Sequence, residues 1–246
     1  KKALPKCKIH SNPTLTKEET IEAAIRKQIK KPTGELTKAN LEKVKGLNLE
    51  VNSADRFRSS AKIKEVDLQE VAKLTRLNYL RLDNNRLTDV SALASLEQLQ
   101  TLHLSFNELT DVDSLAKLTQ LEYLYLNGNR LTDVGALVGL AKLQTLILSR
   151  NKLTDVSALA KLKQLKYLHL GGNEKIDPNT LAKLTQLRTL GLDSSRLTDA
   201  GPLAELKDLE NLYLGYNQLT DAGPLARLAD VVSLNLIHNQ LNDIGP

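Results

Sequence analysis

The chain has 246 residues, room for one or two ordinary domains, and its 41% hydrophobic and 26% charged residues are a globular rather than a disordered balance. Leucine carries most of the apolar content, aromatics are 3%, and no run approaches the ~18 apolar residues that cross a bilayer, so membrane insertion is not expected. The net charge of +5 sits at one end: residues 1–62 hold 15 Lys/Arg against 7 Asp/Glu, and the remainder 19 against 22. A body without a basic stripe argues against nucleic acid as partner.

In chain order, residues 1–13 read as a loose N-terminal tail. It begins at Lys1 without an apolar signal stretch, so any targeting peptide is expected upstream. Its Cys7 is the single cysteine, which forms no internal disulfide and is read as a free thiol. Residues 14–45 read as a helical cap. Thr16-Lys17-Glu18-Glu19 is a capping-box signal, and Ile21, Ala24, Ile25, Gln28 and Ile29 make a helical stripe that Pro32 and Gly34 end. A second short helix follows, with Thr37 as N-cap and Leu41 and Val44 turned inward.

From residue 46 the pattern changes. Val44, Leu47, Leu49 and Asn52 mark a first strand near 46–51, and an insertion at 53–64 reads as a protruding loop. Thereafter Asn85, Asn107, Asn129, Asn151, Asn173, Asn217 and Asn239 fall on a 22-residue interval, with Ser195 in the one vacant slot. Each closes an LxxLxLxxN motif, such as Leu143, Leu146, Leu148 and Asn151. Eight regular units thus run to residue 246, with no evident C-terminal cap.

Within LxL the side chains alternate, so one row of leucines faces inward while its neighbours face out. A single strand cannot bury its leucine row, and stacking the next unit beside it does. The asparagine amide both donates and accepts, which suits it to pair backbone groups where the chain bends; serine does only part of that, so Ser195 is an expected weak point. After each asparagine comes a motif such as Leu131-Thr132-Asp133-Val134, whose aspartate suits an N-cap. The ~10–12 residues between strands leave space for 3₁₀ or single-turn helices only. The repeated aspartates stand one to a unit, which favours capping over a calcium ladder. Lys175 stands where a leucine belongs, so Ile176 is expected to turn inward through a local bulge.

These units are identified as leucine-rich repeats. The stretch TLTKEETIEAAIRKQIKKPTGELTKANLEKVKGLNL resembles the helical cap of bacterial internalin-type proteins, and units such as LTQLEYLYLNGNRLTDVGALVGL resemble their 22-residue class, shared with a regulatory subunit of protein phosphatase one. The similarity covers about residues 14–246 and implies an α/β solenoid. That fold is a right-handed curved coil with a parallel β-sheet on the concave face, short 3₁₀ or single-turn helices on the convex face, and a helical N-terminal cap. It also implies that the concave face binds a protein or glycan, from a secreted or surface-displayed bacterial protein. The 33-residue spacing from Asn52 to Asn85 departs from that pattern.

The outward strand positions form columns that hold all six tyrosines, three of the four histidines and one of the two phenylalanines. Tyrosine joins broad apolar contact to a polar tip, the type favoured at binding hot spots; it also has good β-propensity, and its alternation with threonine fits duplication of double units. The candidate partner-binding residues are Tyr79, Arg81, His103, Phe106, Tyr123, Tyr125, Ile147, Arg150, Tyr167, His169, Tyr213 and Tyr216. His103 and His169 lie three units apart, roughly 14 Å, too far to share a metal ion. No nucleophile–base pair, glycine-rich phosphate loop or CxxC is present, so catalysis, cofactor and metal are not expected. The expected function is non-catalytic recognition, with an intracellular scaffold resembling the phosphatase regulator, or the repeat domain of a larger enzyme, as alternatives. A cytoplasmic location goes with the scaffold reading. The uncovered C-terminal edge is a candidate for self-association.

Overall fold

The computed structural model describes residues 17–51, 63–173 and 176–242. The expected tail, the Thr16 capping signal, nearly all of the 53–64 insertion, Lys175 and Asp243 lie outside these residues. Helix α1 spans Lys17–Ile29, and a short turn α2 spans Lys38–Leu41 behind Thr37, whose amide donates to Asn40 Oδ1 at 3.1 Å. Ile21 and Ile25 are buried against the first strand's leucines, and Ala24 and Ile29 pack partly against them. Val44 is fully buried and Leu41 partly so, whereas Gln28 is exposed, at the rim of the stripe rather than within it.

Nine three-residue strands, counted among the described residues, form one parallel sheet in the order of the sequence. They are β1 (Gly46–Asn48), β2 (Tyr79–Arg81), β3 (Thr101–His103), β4 (Tyr123–Tyr125), β5 (Thr145–Ile147), β6 (Tyr167–His169), β7 (Thr189–Gly191), β8 (Asn211–Tyr213) and β9 (Ser233–Asn235). Register is kept at each step: Leu80 pairs with Leu102, Leu102 with Leu124, Leu124 with Leu146. The leucine rows from Leu77 to Leu214 are almost wholly excluded from water and make one continuous core. Opposite the sheet run 3₁₀ turns such as Ser91–Ser95, Asp113–Lys117, Gly135–Gly139 and Ser157–Lys161. At two places a short α-helix takes their position, α3 (Leu68–Ala72) and α4 (Pro178–Leu181). Strands pack at ~4.8 Å, closer than helical turns can approach one another, so the stack curves with the sheet inside.

The repeated aspartates cap in a slightly different way from the expected one. Asp89, Asp133, Asp155, Asp199 and Asp221 each accept the amide two residues on, at 2.7–2.8 Å. The N-cap position itself falls one residue later, on Val90, Val134, Val156, Ala200 and Ala222, which are buried. The aspartate therefore closes an Asx turn that feeds the 3₁₀ turn, while the apolar N-cap residue fills the core. Asp177 is itself an N-cap, its side chain accepting from the Asn179 amide at 2.9 Å ahead of Pro178. These hydrogen bonds hold the Asp155 and Asp177 carboxyls below the usual carboxylate range.

The asparagines form a ladder along the bend. Asn129 Nδ2 donates to Leu126 O and to Leu104 O of the unit before, both at 2.9 Å, and Oδ1 accepts from Leu109 N at 3.1 Å. Asn107, Asn151, Asn173 and Asn217 repeat the arrangement. At Ser195 it lapses: the hydroxyl is fully buried and has no hydrogen-bond partner. Ile176, the first described residue after 173, is fully buried as expected.

Candidate binding face on the sheet

Alternation along each strand sends the middle leucine inward and leaves the flanking residues on the open face. Tyr79, Tyr123 and Tyr167 share one register position on β2, β4 and β6, with Thr101 and Thr145 between them. Arg81, His103, Tyr125, Ile147 and His169 form the next column. Tyr123 and Tyr167 are exposed, at 37% and 43%, and the second column is half-buried.

The second column is held by ring stacking and charge. His103 lies flat on Tyr125, centroids 4.1 Å apart at 4°, and tilts against Tyr79 at 5.5 Å. Beneath them Asp83 is buried; it accepts Arg81 Nε at 2.7 Å and the Ser105 amide at 2.7 Å, and lies 3.9 Å from His103 Nδ1. Arg81 reaches Glu50 at 3.0 Å as well, so one guanidinium serves two carboxylates. Burial pushes the His103 pKa below its ordinary value, with Asp83 pulling it back up and Arg81 adding to the fall. His169 is lowered in the same way by burial, against an upward pull from Asp193. Tyr125 is raised, first by burial and then by Tyr123 and Tyr79.

At β7 the face closes on itself. Thr189, Leu190 and Gly191 are all buried. A side chain on Gly191 would collide with the His169 ring, which crosses that space to stack on Tyr213 at 5.9 Å. Asn211 Nδ2 donates to Thr189 Oγ1 at 3.2 Å. Beyond it, Tyr216 stacks on His238 at 4.4 Å and is 54% exposed.

One feature escaped the reading of the sequence. The residue before each ladder position has a positive φ, from 53° to 71°: Asn84, Phe106, Gly128, Arg150, Gly172, Ser194, Tyr216 and His238. Glycine and asparagine adopt this left-handed conformation readily; larger residues carry a cost of about 1–2 kcal/mol there. Asn84, Gly128 and Gly172 were the available signal. Phe106 rests over Gly128, where a Cβ would sit 2.6 Å from Phe106 Cδ1.

Of the twelve candidate residues, Tyr79, Arg81, His103, Tyr123, Tyr125, Ile147, Tyr167 and His169 come together on β2–β6. Phe106 and Arg150 edge the same area at the strand ends, and Tyr213 and Tyr216 lie beyond β7. Among the described residues no group of three His, Cys, Asp or Glu is placed to hold a metal ion, and no helix is long and apolar enough to cross a membrane.

A stack of this kind defines a leucine-rich repeat protein, and the chain belongs to that family: a model for leucine-rich repeats in two copies matches residues 97–139, 141–185 and 185–227. Within it the chain is internalin-like. It is similar to internalin C2 from Listeria monocytogenes, with 32% identity over 87% of this chain and 92% of that one, and a TM-score of 0.76. A second Listeria monocytogenes internalin shares 26% identity over 95% of this chain and 82% of that one, with a TM-score of 0.55. A leucine-rich repeat protein of Leptospira interrogans shares 28% over 84% and 58%, with a TM-score of 0.71. No curated protein matches the sequence. Leucine-rich repeat domains of this kind are protein-binding modules.

Proposed function

We propose that the chain recognises a partner protein through the concave sheet face, centred on Tyr123, Tyr125 and Tyr167, as part of a secreted or surface-displayed protein. The observation that carries this is the placement of five of the six tyrosines at outward strand positions, four of them on β2, β4 and β6, where Tyr123 and Tyr167 are more than a third exposed. A tyrosine there does nothing for the leucine core, which is closed without it. The surface is preformed: ring stacking and the Asp83–Arg81–Glu50 cluster fix side chains that would otherwise lose rotamer freedom on binding. The likeness to internalins supports the secreted setting.

The test is the triple variant Tyr123→Ala, Tyr125→Ala, Tyr167→Ala, used beside the unaltered protein in a pull-down and then in titrations with the partner recovered. Circular dichroism is expected to stay unchanged while partner binding weakens by about 2 kcal/mol or more. Unaltered binding would move the site to the 3₁₀ side or to residues 53–64.

A further inference from the structure

Resting on that reading of the sheet face, we propose that its margin just beyond β5 and β6 holds a seat for a carboxylate of the partner, an aspartate or glutamate side chain, formed by the Gly171 amide, Ser149 and the guanidinium of Arg150. The chain itself shows what such a seat takes. Just beyond β2, Asp83 reaches to the next unit: one oxygen accepts the Ser105 amide at 2.7 Å, the other accepts Arg81 Nε at 2.7 Å, and His103 Nδ1 is 3.9 Å away. Asp193 accepts the Gly215 amide at 2.9 Å in the same way. No backbone carbonyl accepts either amide, so the carboxylate is their one acceptor.

Between these two aspartates the corresponding amides, on Asn127, Ser149, Gly171 and Asp193, have no acceptor among the described residues. The residue one unit back is in each case shorter than aspartate or already engaged: Asn127 Oδ1 accepts the Ser105 hydroxyl at 2.6 Å. Only the Gly171 amide lies beside an unpaired cation. Three units on from Asp83, Ser149 takes its register place, Gly171 that of Ser105 and His169 that of His103. Ile147 stands where Arg81 stood, and the positive charge comes instead from Arg150. Its stem lies over Gly172, where a Cβ would be 3.3 Å from Arg150 Cγ. Arg150 is exposed, and among the described residues no ion pair engages its guanidinium. It holds φ 57° where both neighbouring units use glycine, and strain of this kind gathers at binding sites.

Charge selects the occupant. From Tyr123 to Gly172 the outward and strand-end residues of β4–β6 carry one full charge, that of Arg150. A partner lying over them covers an unpaired guanidinium unless it brings a carboxylate, which such a fork binds in bidentate fashion. The nearest acidic group on the face, Asp193, is turned forward to Gly215. One cation beside one amide suits a single planar carboxylate, the group that Asp83 supplies at the equivalent place, better than a phosphate with nearly twice the charge. The seat lies four residues along the chain from Tyr167, ~13 Å, so the partner's acidic residue stands that far from whatever packs on the tyrosines.

The experiment is a ¹⁵N–¹H NMR titration with N-acetyl-glutamate amide, and with N-acetyl-glutamine amide as its neutral counterpart. The Gly171 amide proton is expected to move downfield saturably with the first and not with the second, and the dissociation constant to rise about five-fold or more in Arg150→Gln and Arg150→Gly. Ser149→Asp supplies the carboxylate from within. It should shift the Gly171 amide with no ligand added, raise the thermal midpoint and abolish the response to the glutamate compound. In titrations with the recovered partner, Arg150→Gln and Ser149→Asp should each weaken binding about ten-fold or more. Circular dichroism controls for folding. No shift with the glutamate compound, an equal shift with the glutamine compound, tighter binding of inorganic phosphate, or an unchanged response in the Arg150 variants would overturn the proposal. So would a stronger response in Glu174→Gln, a position outside the described residues, since the occupant would then belong to this chain. Partner binding lost in the triple tyrosine variant but kept in Arg150→Gln and Ser149→Asp removes the seat and leaves the face; binding kept in the triple variant but lost in these two removes the tyrosines and leaves the seat.

Discussion

From Asn107 to Asn173 every rung of the ladder is alike, and at Ser195 the pattern lapses. In the regular part each leucine carbonyl at the bend accepts from two asparagines, its own and the next: Leu104 O from Asn107 and Asn129, Leu126 O from Asn129 and Asn151, Leu148 O from Asn151 and Asn173. Around Ser195 each carbonyl has one such donor, Leu170 O from Asn173 and Leu192 O from Asn217. The open face changes in the same place, since β7 is buried and His169 leans over Gly191. The two parts share the leucine core and differ in how the backbone is tied. What the difference teaches is that apolar stacking sets the fold while the ladder sets local strength, as expected where stability is a sum of unit and neighbour contributions.

The sharpest way to break the comparison is to create a second lapse. Asn129→Ala leaves the Leu109 amide without its acceptor and takes one donor each from Leu104 O and Leu126 O. Buried unpaired backbone groups cost about 1–3 kcal/mol each, so a loss of about 3 kcal/mol is expected in denaturant unfolding. A change under about 1 kcal/mol would mean that the ladder is ornament on a leucine stack.

The complementary change repairs the existing lapse. Ser195→Asn offers an amide to Leu192 O and Leu170 O in the geometry used by the other rungs, and removes a buried hydroxyl that has no partner. A gain of about 1–2 kcal/mol is expected from two hydrogen bonds. Ser195→Ala should be close to neutral, because the hydroxyl it deletes bonds nothing. If Ser195→Ala destabilises as strongly as Asn129→Ala, the hydroxyl has a role that the comparison misses.

The left-handed row gives a smaller test inside the regular part. Arg150 has φ 57° where Gly128 and Gly172, one unit to either side, have 69° and 71°. Arg150→Gly relieves that conformation and should raise stability by about 1 kcal/mol, offset in part by the entropy of an added glycine. A fall in thermal midpoint would show that the arginine side chain packs to more effect than its backbone costs.

The fold was legible because its signal is periodic. A 22-residue interval of leucines and asparagines fixes strand, register and core face together, and the sheet obeys it from β2 to β9. The outward columns followed from alternation alone. What the sequence withheld depends on contacts between units. Nothing local says that Arg81 serves both Glu50 and Asp83, or that Gly191 is a vacancy for His169. The N-cap moved by one residue because two positions, Asp133 and Val134, divide a task that usually falls to one: the first closes the turn and the second fills the core.

The least costly test uses pH and sets His103, in the regular part, against His169 at the lapse. Burial lowers both pKa values in the folded chain below the ordinary value of about 6.5. As pH falls through about 6.5 the unfolded chain takes up protons first, so the stability these rings contribute is full above that value and is lost on descent towards their folded pKa values. His103→Gln and His169→Gln should each flatten the decline in thermal midpoint between pH 7.5 and 5. The effect at His103 should grow when Asp83 is also changed to Asn, because the carboxylate opposes the lowering. His169 should behave likewise with Asp193→Asn, since Asp193 is the charge that raises it. Equal curves for the variants and the parent would place both rings in contact with water, against the stacked and half-buried geometry.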